Sequence, residues 1–85
     1  MHLSDYIAAT LLEFGWKAEA PNLFAKRLLY FAEPGALSPG HRVVRLRLDD
    51  AGRWLERVDG WGNVDQCIDL RGYDSPRDAI NAALD

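Results

Sequence analysis

The sequence predicts an α+β fold: an antiparallel three-stranded meander packed against an N-terminal helical segment and a short C-terminal helix. Three observations carry this expectation. Residues 3–14 place apolar side chains at helical spacing. Residues 43–70 fall into three short runs rich in β-formers, separated by turn residues. Residues 73–84 open with a helix-start signature and continue as an apolar stripe.

The first helix is expected from about Ser4 to Phe14. Ser4 suits the N-cap, Asp5 complements the positive end of the helix dipole, and Gly15 is a natural stop. Leu3, Ile7, Leu11 and Phe14 define one face, which Ala8 and Leu12 widen. Residues 16–33 are ambiguous. Breaks at Pro21-Asn22 and Pro34-Gly35 bracket a run whose Ala, Leu, Lys, Arg and Glu favour a second helix. A strand pair, Trp16–Ala20 and Phe24–Phe31, is the alternative. Gly35 to Gly40 reads as an exposed loop.

Val44, Leu46 and Leu48 alternate with Arg45 and Arg47, the period of a half-buried strand. Asp49-Asp50-Ala51-Gly52 is a turn, Arg53 to Asp59 a second strand, and Gly60-Trp61-Gly62-Asn63 a second turn. Val64 to Leu70 is the third strand, with Val64, Ile68 and Leu70 on one side and Cys67 out of phase with them. In the last helix Ser75 is the N-cap, Pro76 fits the first turn, and Asp78 sits where it can answer the cap. Ala79, Ile80, Ala83 and Leu84 form its stripe.

With 85 residues the chain makes one domain, residues 1–85, burying roughly 60–65% of its unfolded surface. Ten Lys+Arg against thirteen Asp+Glu give a net charge of -3, the opposite of the basic excess usual in proteins that grip phosphate backbones. One cysteine, Cys67, cannot form an intrachain disulfide. Apolar runs are too short to span a bilayer, and the N-terminus lacks a signal-peptide pattern, so a cytoplasmic protein without membrane contact is expected.

Chemistry-bearing residues are sparse. His2 and His41 sit in segments expected to be flexible, and no Ser or Cys stands in a nucleophile turn. Asp49-Asp50 reads as a turn rather than a calcium loop, and no Cys/His spacing suggests zinc. The chain is therefore expected not to be an enzyme and to hold no cofactor or metal. The informative surface is the sheet. Arg45 and Arg47, with Arg53 and Arg57 on the next strand, are expected on one exposed face, edged by Asp65 and Asp69. Trp16 and Trp54 are expected in the core. Trp61, between two glycines, is the exposed aromatic anchor, and Arg and Trp are the residue types that dominate binding hot spots.

Two resemblances extend this reading. Arg42 through Gly52-Arg53-Trp54, then Leu70-Arg71-Gly72-Tyr73-Asp74-Ser75 and Asp78-Ala79, make residues 43–84 resemble the sheet and helix of ethylene-response type DNA-binding domains. That resemblance implies groove contacts by Arg45, Arg47, Arg53, Arg57 and Trp54. It underlies the alternative of a small nucleic-acid-binding regulator using an Arg-rich sheet face. As a small acidic domain without a catalytic set, the chain is also similar in type to anti-CRISPR inhibitors of phages and mobile elements. Its Arg, Ala, Leu and Asp usage looks like that of a GC-rich bacterial or phage source. This second resemblance implies an inhibitor in a bacterial host that covers the nucleic-acid-binding surface of a CRISPR effector complex; a monomer or small homo-oligomer is expected. Asp49, Asp50, Glu56, Asp59, Asp65, Asp69 and Asp74 would face the effector's Lys and Arg.

Overall fold

The computed structural model describes residues 3–30 and 40–85. The chain begins with helix α1 (Leu3–Glu13). Five strands follow: β1 (Lys17–Ala20), β2 (Leu23–Tyr30), β3 (Gly40–Leu48), β4 (Trp54–Val58) and β5 (Val64–Asp69). A 3-10 turn over Leu70–Gly72 leads into helix α2 (Pro76–Leu84). The strands form one antiparallel sheet in the order β1-β2-β3-β4-β5. The α+β class and the antiparallel meander are as expected from sequence, but the sheet has five strands where three were expected. The run between the two breaks, expected as a second helix, holds β2, and the alternative strand pair, Trp16–Ala20 and Phe24–Phe31, corresponds to β1 and β2. Phe31 and most of the expected loop lie outside the described residues, and Gly40 already belongs to β3, as does the His41 backbone.

The register explains how one face came to hold the core. Phe24 lies opposite Leu46, and Leu48, Leu55 and Ile68 form a continuous cross-strand row. Both helices pack on this face. Ile7 and Leu11 of α1 and Ala79, Ile80 and Ala83 of α2 join Trp16, Phe24, Val44, Leu46, Leu48, Leu55, Ile68 and Leu70 in one cluster. Burying that stripe is what a lone meander cannot do for itself. Two residues expected on the inner face of α1 lie outside: Leu12 is 54% exposed and Phe14 39%. The helix stops at Glu13, so Phe14 has already left its periodicity. Ser75 occupies the N-cap of α2 with Pro76 following, yet its side chain makes no capping bond. The expected reciprocal bond with Asp78 is therefore not formed.

A bulge accounts for a further difference. Arg57 pairs with Gln66 and Val58 with Val64, which leaves Asp65 as the extra residue of β5. The slip turns Val64 to the uncovered face, so it is 43% exposed rather than aligned with Ile68 and Leu70. Val58, its partner, is buried but stands outside the core cluster, under the uncovered face.

The β2–β3 pair outruns its neighbours. β1 reaches β2 only as far as Ala25, and β4 reaches β3 only as far as Arg45. Beyond those points β2 and β3 continue to the Tyr30–Gly40 pair as a two-stranded ribbon.

Candidate functional site: the ribbon shoulders and the uncovered sheet face

Two aspartates build matching turns. The Asp49 carboxylate accepts from the N–H groups of Arg53 (2.7 Å) and Trp54 (2.8 Å), while Gly52 closes the turn at φ 72°. The Asp59 carboxylate accepts from the N–H groups of Trp61 (2.9 Å) and Asn63 (2.8 Å), with Gly62 at φ 86°. In each case the acid orders the loop by satisfying backbone donors that a tight turn would otherwise leave to water. The backbone donors of Trp54 and Arg53 hold the Asp49 carboxyl below its ordinary pKa. The second turn carries Trp61, which is 89% exposed. These bonds order the loop backbone before any partner arrives, so binding costs the turn little backbone entropy, and only the rotamers of the outward indole remain to be fixed. Val43 and Val64 are exposed at the same end of the molecule. A cleft there is lined by Val43, Val58, Asp59 and Asp65 together with Arg42 and Arg57.

The arginines expected on one face are divided between two. Arg45 and Arg47 do lie on the uncovered face, each answered by a carboxylate: Arg45 meets Glu19 at 2.8 Å and Arg47 meets Glu56 at 3.1 Å. Arg57 shares a phase with the fully buried Leu55 and lies on the helix side, where it donates to the Leu84 carbonyl at 3.2 Å. Expecting Arg57 beside Arg45 overlooked that Leu55, between Arg53 and Arg57, must point inward. Arg53 stacks 4.6 Å from the centre of the Trp54 ring and reaches Asp69 at 3.5 Å. Trp54 is accordingly half-buried beneath a guanidinium rather than a core residue, whereas Trp16 is buried as expected.

The seven acids are not gathered into one surface. Asp59 and Asp65 flank the Trp61 loop. Glu56 and Asp69 are engaged in ion pairs on the sheet. Asp49 and Asp50 line a cleft at the opposite end with Asp5, and Asp74 lies by Tyr6, Tyr73 and Pro76. Asp69 has the most perturbed carboxyl, pulled down to about 2 mainly by the Arg71 side chain and also by the Arg71 backbone N–H. Cys67 is exposed on β5, out of phase with Ile68 as expected. Partial burial, then the charges of Glu56, Asp49 and Asp69, push its thiol up.

Sequence reading missed two cations with structural tasks. Lys26 occupies a core-phase position between Phe24 and Leu28, and its Nζ donates to the Phe14 carbonyl at 2.7 Å at the end of α1. Arg57 does the same for α2. Each cation meets the negative end of a helix dipole, an arrangement worth about 0.3–1 kcal/mol. The available signal was a basic residue in an apolar phase.

No group of three or more metal-ligating side chains occurs among the described residues, and no described helix is long and apolar enough to cross a membrane. Comparison with known proteins returns no match: no family model fits the chain, and no curated protein or solved structure is significantly similar to it.

Proposed function

We propose that the chain is a non-enzymatic protein-binding module that docks through the end of the sheet carrying Trp61. Its most specific form is an inhibitor that covers the nucleic-acid-binding surface of a bacterial CRISPR effector complex. The observation that carries the reading is Trp61 itself, 89% exposed on a loop braced by Asp59. Exposed tryptophan has no folding role to explain it, and it is the residue type most enriched in binding hot spots. Asp65, and the second carboxylate oxygen of Asp59 that the turn does not use, supply acceptors for the lysines and arginines that line a phosphate-binding surface.

The alternative, nucleic-acid binding by an Arg-rich sheet face, is weaker on the same geometry. Arg45, Arg47 and Arg53 are each engaged by a carboxylate, so gripping phosphate there means breaking existing ion pairs. The test is target-DNA binding by purified effector complexes titrated with this chain. The wild type is expected to block DNA binding, and Trp61→Ala is expected to weaken the block by more than about 2 kcal/mol while leaving stability within about 0.5 kcal/mol. Unimpaired DNA binding at saturating wild-type chain overturns the reading. A salt-sensitive gel shift of naked DNA by the chain alone, lost in Arg45→Ala, supports the alternative instead.

A further inference from the structure

The β2 side of the ribbon differs in chemistry from the Trp61 end. β1 begins at Lys17, which pairs with Ala25, so the outer edge of β2 from Lys26 to Tyr30 has no strand partner among the described residues. Backbone donors and acceptors along such an edge are a template for one more strand. The shoulder beside it is basic. Lys17, Lys26 and Arg27 line a cleft there with Gly15, Ala25 and Val43, and its acid, Glu19, is held by Arg45 at 2.8 Å. Arg27 and Lys17 are exposed and lie on the uncovered face, while Lys26 lies on the helix side. Cations therefore stand on both faces of the open edge. A second copy of this same edge carries no carboxylate between residues 26 and 30 to answer Arg27, so the basic shoulder favours an acidic occupant over self-pairing.

We propose that the free edge of β2 accepts an extended acidic segment of a partner protein by antiparallel strand addition. Backbone pairing with residues 26–30 supplies the register. Carboxylates on alternate residues meet Arg27 and Lys17 on the uncovered face, and apolar residues between them face the helix side, where Leu28 is partly buried against the core. This surface is separate from the Trp61 shoulder, so either can fail without the other.

The probe is a capped, fluorescein-labelled seven-residue peptide of alternating Val and Glu. The expected result is saturable binding by anisotropy, with shifted and exchange-protected amides confined to residues 17–20 and 26–30. Arg27→Glu and Lys17→Glu are each expected to weaken binding about tenfold, and an alternating Val and Lys peptide is expected not to bind. A version N-methylated at alternate amides keeps every charge but cannot pair with a strand; its binding is expected to be lost. Equal binding of the N-methylated peptide, amide shifts centred elsewhere, or no saturable binding of the Glu peptide to a chain whose amide spectrum shows it folded each overturns the proposal. Comparing amide dispersion of the variants with the wild type separates lost binding from lost fold.

Discussion

At the scale of single residues, aspartate does most of the ordering outside the core. Asp49 and Asp59 each stand three residues before a glycine of positive φ, and each carboxylate satisfies two backbone N–H groups. Both turns are legible from Asp49-Asp50-Ala51-Gly52 and Gly60-Trp61-Gly62-Asn63; that Asp49 and Asp59 clamp them is not, because the bonds run to backbone atoms of other residues. Asp49→Ala is expected to cost about 1–2 kcal/mol in denaturant unfolding through the lost charge-assisted bonds. Asp69 gives a pH signature. Its folded carboxyl titrates at about 2 against an ordinary 3.8, so folding favours the ionised form. The stability it contributes is fully present above the ordinary value and is lost as pH falls from there toward 2. Carbon-13 titration of the Asp69 carboxyl is expected to show the depressed midpoint, and Arg71→Ala to return it toward 3.8. Cys67 is the complementary case: with its thiol pushed up, it is expected to react with iodoacetamide at neutral pH more slowly than a free cysteine.

At the scale of elements, legibility followed how cleanly each segment shows one period. Val44, Leu46 and Leu48 alternate with arginines, and β3 was read correctly. The stripe of Ala79, Ile80 and Ala83 after Ser75-Pro76 gave α2. β2 was misread because Lys26 interrupts the inward row of Phe24 and Leu28, and because Ala, Lys, Arg and Leu are all good helix formers. Lys26 tolerates its position only because Phe14 offers a carbonyl, a contact made across twelve residues that no local pattern encodes. The Asp65 bulge is equally silent in sequence, and it alone moves Val64 outward. The correctly read strand makes a firm prediction. Leu46 is fully buried at the centre of the sheet, so Leu46→Ala is expected to destabilise by about 2–5 kcal/mol in urea unfolding.

At the scale of the whole molecule, the modest net charge conceals a separation. Residues 23–48, the two strands of the ribbon and their connection, hold five of the ten Lys+Arg and, in Glu33, one of the thirteen acids. The remainder is strongly acidic. The ribbon thus rises between a basic shoulder at Lys17 and Arg27 and a shoulder carrying Trp61, Asp59 and Asp65. Trp61 was recognisable in advance from its two flanking glycines. The shoulders were not, since they arise only where β1 and β4 stop short of a longer β2–β3 pair.

The proposed docking of a partner at the Trp61 end leaves a footprint on the backbone around that loop. Amide hydrogen exchange of the chain, with and without a CRISPR effector complex, reads that footprint. Slowed exchange concentrated in residues 58–65 is expected, abolished by Trp61→Ala in a chain that stays folded. Unchanged exchange throughout, or protection that spares residues 58–65, would contradict it.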